Sequence, residues 1–191
     1  MLEESLCKWF AKKIGFNDFS GGIAASGGTL SNLNALIAAR NNAGLGTNPN
    51  SVLLVSEDAH SSFIKCTRIM GLDEANLIRI KTDNNGCMDV QNLRETIDKC
   101  LINKKKIFAI VATVGTTVRG AIDPIKEISE ICKERNIWLH IDGSIGGIFA
   151  ITSIPIEGLN NINQANSITI NPQKIIGITK TSSLLLSLIH I

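Results

Sequence analysis

Two hydrophobic periods alternate along this chain, and that alternation restricts its fold more than any other feature. Short apolar runs have the length and the Val/Ile/Leu content of buried strands: "SVLLVS" (51–56), "NLIRI" (76–80), "KIFAIVATV" (106–114), "IWLHID" (137–142), "NSITI" (166–170) and "SLLLSL" (183–188). Other segments carry helical spacing. Leu2, Leu6, Trp9 and Phe10 predict a helix over 2–14; Leu33, Leu36, Ile37 and Arg40 predict one over 29–42. "AHSSFIKCTRIMG" reads as a helix ending at Gly71, and Val90, Leu93, Ile97 and Leu101 mark another. Asp123-Pro124 opens a helix through Arg135, with Asp123 as N-cap and the proline at the first helical position. Strands separated by such helices build a mainly parallel sheet covered on both faces. The last run follows its neighbour after a loop too short for a crossover, so it is expected to be antiparallel. "GGIAASGG" (21–28) reads as a glycine-rich turn.

A chain of 191 residues with 44% hydrophobic content builds a real core. The net charge of +2 is spread thinly, and its one basic run, Lys104-Lys105-Lys106, joins a helical pattern to a strand pattern. That is a solvated connector, not a nucleic-acid groove. Cysteines 7, 66, 87, 100 and 132 form no CxxC pair, which fits a reducing cytosol better than a disulfide framework. The acidic N-terminal stretch lacks the apolar core of a signal peptide, and no run of 18 apolar residues suggests a membrane span. The expected location is cytoplasmic.

Ligands of an open α/β sheet bind at the carboxyl ends of its strands. The residues that fall there are Asp58 and His60, then Gly115, Thr116 and Thr117, then His140 and Asp142, then Asn171 and Lys174, with the turn Gly27-Gly28-Thr29 opening a helix. A glycine turn at a helix N-terminus presents free N–H groups suited to phosphate. The dinucleotide fingerprint is absent, because no G-x-G-x-x-G follows a convincing strand, and there is no Walker Gly-Lys-Ser/Thr. A metal site built on His140, Asp142 and His60 leaves the lysine and the glycine cup unexplained, so no metal is expected. Pyridoxal phosphate needs a phosphate cup, a lysine amine, a carboxylate for its ring nitrogen and a flat group against the ring, and this rim offers each. The plain alternatives are a solvated turn lysine at 174, a helix-capping His60, a strand threonine at 113 and a structural His140.

The chain resembles the group II pyridoxal-phosphate decarboxylases, which include glutamate, aromatic amino acid, histidine and diaminobutyrate decarboxylases. The matching stretches are "SGGTLSNLNALIAAR" (26–40), "SEDAHSSFIKCTRIMGL" (56–72), "VATVGTTVRGAIDPIKEISEIC" (111–132), "WLHIDGSIGG" (138–147) and "NPQK" (171–174). The resemblance implies fold type I: a three-layer α/β/α large domain like that of aspartate aminotransferase, mainly parallel with one antiparallel strand. It implies an amino acid carboxy-lyase acting through pyridoxal 5′-phosphate, with an aminotransferase or desulfurase of the same fold as the alternative, or a silent remnant. Lys174, His60 and Asp142 are the implied catalytic residues: the amine that bonds the cofactor carbonyl, the imidazole stacked on the ring and the partner of the ring nitrogen. Gly27, Gly28 and Thr29 are the implied phosphate cup, with Asn171 as an extra contact. The resemblance also implies Thr113 near the cofactor, Ser144 against the ring's other face, and His140 behind Asp142 or near the substrate carboxylate. An amino acid substrate and a homodimer are implied, with no nucleic acid or membrane partner.

Several positions depart from the family pattern: Gln173 where His is usual, Gly143-Ser144 where Ala-Ala is usual, Leu30 where Glu is frequent, and the ending "LSLIHI" (186–191). Family members run to more than twice this length, and there is no Tyr anywhere in the chain. Residues 1–191 are therefore expected to be part of the cofactor-binding large domain, without the N-terminal segment, the C-terminal small domain and the mobile loop with its tyrosine.

Overall fold

The computed structural model describes residues 2–180 and 182–189. Seven strands form one sheet: β1 (Gly21–Ala25), β2 (Ser51–Ser56), β3 (Leu77–Ile80), β4 (Lys106–Thr113), β5 (Trp138–Gly143), β6 (Ser167–Ile170) and β7 (Ser183–Ser187). Their spatial order is β1-β7-β6-β5-β4-β2-β3. The neighbouring pairs from β3 through β2, β4 and β5 to β6 are parallel, while β7 runs antiparallel to both β6 and β1. One strand, β7, thus opposes the rest, as the short loop before it predicts. His190 and Ile191, which end the divergent "LSLIHI" stretch, lie outside the described residues.

The helices are α1 (Leu2–Lys13), α2 (Gly28–Asn42), α3 (Ser62–Ile69), α4 (Val90–Ile102), α5 (Ile125–Arg135) and the single turn α6 (Gln173–Ile176). Period-two alternation in the strands divides the core in two. Val52 and Leu54 of β2, Ile110 and Ala112 of β4, and Leu139 and Ile141 of β5 pack with α1, α4 and α5. Leu53 and Val55, and Ala109 and Val111, pack on the other face with Leu36 and Ala39 of α2 and Phe63 and Cys66 of α3. That second face turns polar towards β5, β6 and β7. Here His140, Asp142, Ser167, Thr169 and Ser183 are all buried, under the equally buried Ser31 and Asn32 of α2.

Two local expectations differ from the structure. The "GGIAASGG" stretch is not all turn: Gly21–Ala25 is the edge strand β1, in register with Ser187–Ser183 of β7. Its glycines permit this, since a Cβ on Gly22 would sit 2.5 Å from the Leu185 carbonyl oxygen. Asp123 does not cap α5; Pro124 holds that position. The Asp123 carboxylate, 1% exposed, accepts instead the backbone N–H groups of Met88 and Thr113, each at 2.7 Å. Helix α1 forms as its periodicity predicts, but it buries Cys7, Phe10 and Ala11 and leaves Leu2, Leu6 and Trp9 largely exposed.

Candidate active site

Cross-strand register creates the site. Thr113, the last residue of β4, pairs with Asp142 on β5, which pairs with Thr169 on β6. The three share the polar face and place the carboxylate between two threonines at the carboxyl end of the sheet. Above them opens a cavity of about 240 Å³, and all nine residues expected at a cofactor site line it: Gly27, Gly28 and Thr29; His60; Thr113; Asp142 and Ser144; Asn171 and Lys174.

The glycine turn opens α2, with Gly28 as the first helical residue. The first N–H groups of a helix have no partner within it and carry the positive end of its dipole, so this end attracts an anion. A Cβ on Gly28 would lie 2.6 Å from Asn171 Nδ2 and 2.7 Å from Ser144 Oγ, so only glycine leaves the cup its shape. The Asn171 amide is oriented from behind. The Ser31 hydroxyl donates to Ser183 Oγ at 2.7 Å, and the Ser183 hydroxyl donates to Asn171 Oδ1. This leaves the Asn171 NH2 facing the cup as a donor.

Asp142 is 4% exposed and every polar partner it has is a donor. Asn32 Nδ2 donates to Oδ2 at 3.1 Å, and the Ser144 backbone N–H donates to Oδ1 at 3.1 Å. Behind Asn32 lies His140, fully buried, its Nε2 3.0 Å from Asn32 Oδ1 and its Nδ1 2.8 Å from Ser167 Oγ. The Trp138 indole N–H donates to the same Ser167 Oγ at 2.9 Å. Burial pushes the His140 imidazole well below its usual range, against the opposing pull of the Asp142 charge, so the ring is neutral. Burial likewise pushes the Cys66 thiol up to about 11, with the Asp142 charge adding to it, so Cys66 stays a thiol.

His60 both caps and lines the cavity. Its Nδ1 accepts the Ser62 backbone N–H at 3.1 Å at the start of α3 and lies 2.8 Å from Ser62 Oγ. Capping by Nδ1 leaves Nε2 as the protonated nitrogen. Lys174 sits on α6, whose N-cap is Pro172 and whose end is fixed by Gly177 at φ 76°. Its amine is exposed, with no hydrogen bond or ion pair to any described residue. Thr113 Oγ1 is buried at the cavity wall and also lacks a partner among the described residues.

Some rim residues fall elsewhere. Asp58 lies 3.5 Å from Arg119 Nε, outside the lining, and Thr116 Oγ1 accepts the Ala121 N–H in the turn after β4. His140 reaches Asp142 only through Asn32. Among the described residues no group of three or more His, Cys, Asp or Glu is arranged to hold a metal ion. Asn32, Ser62, Thr117, Ile145 and Gln173 also line the cavity. Asn32 escaped the sequence reading although its signal was present: it lies four residues after Gly28 on one helix, hence on the face that carries the cup.

A family model described as "Pyridoxal-dependent decarboxylase conserved domain" matches residues 1–187. An aromatic-L-amino-acid decarboxylase of Bacillus atrophaeus is 31% identical over 173 residues, 91% of this chain and 36% of the relative. An acidic amino acid decarboxylase of Xenopus tropicalis is 32% identical over 183 residues, 92% of this chain and 36% of the relative. Among solved structures, mouse CSAD superposes with a TM-score of 0.93 at 29% identity, over 98% of this chain and 40% of that one. The chain thus spans well under half the length of these relatives.

Proposed function

Because this chain belongs to the pyridoxal-dependent decarboxylase family, we propose that the complete gene product decarboxylates an amino acid, with pyridoxal 5′-phosphate held in the cavity above Asp142. Residues 1–191 are then part of the cofactor-binding large domain. The observation that carries the reading is the meeting, in one cavity, of a lysine without a partner among the described residues, a buried carboxylate and an open helix N-terminus. The residues fit the cofactor independently of the family match. The Thr113 hydroxyl is buried at the wall without a partner among the described residues, the Gly28 cradle would be filled by a single methyl group, and the Asn171 NH2 faces that cradle as a donor.

When bound, pyridoxal phosphate supplies an electron sink for the bonding pair released as carbon dioxide departs. Lys174 would hold the cofactor through its amine. The N–H groups at Gly28 and Thr29, with Gly27 shaping the turn, would bind the phosphate with help from Asn171. Asp142 would favour a protonated ring nitrogen, which would keep the ring electron-poor. His60 and Ser144 would pack against the ring, and Thr113 would offer it a hydroxyl. The named relatives act on aromatic and on acidic amino acids, so the proposal reaches the amino acid carboxylate and no particular side chain.

The exposed isoleucines beside Lys174, Ile175, Ile176 and Ile178, support a site completed by further chain, and the apolar stripe of α1 supports a homodimer. Five free cysteines, four of them buried, suit a reducing, cytoplasmic setting. The test is carbon dioxide release from a panel of amino acids by the complete gene product with added cofactor. We expect release from at least one amino acid, cut by about a hundredfold or more in Asp142→Asn, which removes the charge facing the ring nitrogen. Amino-group transfer without carbon dioxide would identify the same-fold aminotransferase chemistry, and no turnover of either kind a silent chain.

A further inference from the structure

We propose that Asn32 positions Asp142 for the ring nitrogen through a one-way chain of buried hydrogen bonds, Trp138–Ser167–His140–Asn32–Asp142, a role that rests on the cofactor assignment above. Five side chains from α2, β5 and β6 form this chain, and each of its links is 2.8–3.1 Å long. Its direction follows from counting protons. An ionised carboxylate only accepts, so Asn32 turns its NH2 to Asp142. Asn32 Oδ1 then faces His140 Nε2, which must carry the ring's single proton. His140 Nδ1 is left bare and accepts the Ser167 hydroxyl. Ser167 Oγ in turn accepts the Trp138 indole N–H, a group that can only donate. Each of the four links then pairs one donor with one acceptor.

The reverse direction fails at both ends. Nδ1–H of His140 would make Ser167 Oγ accept twice, from His140 and Trp138, and would strand the buried serine proton without a partner among the described residues. Asn32 would turn its carbonyl towards Asp142, two acceptors 3.1 Å apart unless the carboxylate were protonated. The buried indole therefore selects the His140 tautomer, and the tautomer selects the ionised state of Asp142, which accepts a hydrogen bond from the cavity side. The neutrality of His140 under burial agrees with this order. The titratable groups facing Asp142 are His140 on its own strand, Cys66 on α3 and, across the cavity, His60 and Lys174. From α2, β4 and β6 come only the neutral Asn32, Thr113 and Thr169.

The test uses the complete gene product and pyridoxal 5′-phosphate, with two readouts besides turnover: the cofactor dissociation constant and the pH midpoint of the bound cofactor's absorbance change. In Asn32→Leu, close in size but without the donor, the carboxylate would hold a proton more tightly and the bound ring would carry less positive charge. The absorbance transition of the bound cofactor would then move to higher pH. We expect the midpoint to rise by about one pH unit and binding to weaken about tenfold, the size of one hydrogen bond to a charged group. Ser167→Ala, which does not touch the cavity, should move the midpoint the same way by less, because it frees the His140 tautomer. His140→Gln offers the same acceptor and donor pair and should shift it less than His140→Leu. If Asn32→Leu does not fold, the Ser167 and His140 variants decide. Unchanged midpoints and affinities in variants that bind the cofactor would overturn the positioning role while leaving the cofactor reading intact. A wild-type protein that binds no pyridoxal phosphate would overturn both.

Discussion

Gly28 shows how narrowly single residues define this site. Alanine there would put a methyl group 2.6 Å from Asn171 Nδ2 and 2.7 Å from Ser144 Oγ, and Asn171 cannot swing aside without losing the Ser183 hydroxyl. Gly28→Ala should weaken pyridoxal phosphate binding tenfold or more, about the cost of one lost charge-assisted hydrogen bond, while far-ultraviolet circular dichroism stays unchanged. Equal affinity in the two proteins would remove Gly28 and Asn171 from the phosphate cup. At this scale the sequence was most legible where a residue's chemistry is unusual for its setting. A lysine after Asn-Pro and a His-x-Asp at a strand end stood out, and both fall at the cavity or directly behind it. Asn32 and Ser167 did not stand out, because their roles come from partners more than a hundred residues away in one case and twenty-seven in the other. Hydrogen-bond direction appears only when the sheet brings them together.

Among the elements, Asp123 ties the end of β4 to the strand-like segment at Met88, and its titration carries a sign that can be checked. Burial raises its carboxyl from the ordinary 3.8 to about 6, against the lowering effect of the Thr113 and Met88 N–H bonds. Between these values the native state holds a proton that the unfolded chain has released, so this contribution to stability is full below about 4 and lost as the pH rises through about 6. His140 acts in the opposite sense. Burial lowers it from the ordinary 6.5, so the unfolded chain takes up a proton first and stability is lost as the pH falls below that value. In denaturant titrations, Asp123→Asn should therefore be further below wild type at pH 4 than at pH 7, by about 3 kcal/mol. His140→Gln should lose less stability than wild type on acidification. Parallel pH profiles for Asp123→Asn and wild type would show that Asp123 is ionised throughout. The same element explains a misreading. Asp-Pro before a helix is a sound capping signal, but two buried N–H groups from other segments outbid the helix end for this carboxylate. The glycine-rich stretch before α2 hid β1 for a similar reason: an edge strand held by its β7 partner needs no β-branched residues of its own.

For the molecule as a whole, strand order and the polar half of one sheet face matter more than any helix. The alternation of periods made the three layers and the single reversed strand legible, because burial on both faces leaves few other arrangements for such a pattern. The face of α1 turned to solvent was not legible, since Leu2, Leu6 and Trp9 match helical spacing as well as Cys7, Phe10 and Ala11 do. Leu2 is 85% and Trp9 49% exposed, with Phe19 90% exposed nearby in sequence. Apolar surface of this kind promotes association. Residues 1–191 alone should therefore sediment well above their 20.6 kDa monomer mass, and a Leu6→Lys, Trp9→Lys variant should move towards it; a wild-type monomer at all concentrations would refute this. The central claim is that Lys174 holds pyridoxal phosphate over Asp142. It is tested most directly by loading the complete gene product with the cofactor, reducing with borohydride and mapping the labelled peptide by mass spectrometry. The account predicts a pyridoxyl group on Lys174 that is absent from Lys174→Ala, whereas a label on Lys180, or no stable label in the wild type, would contradict it.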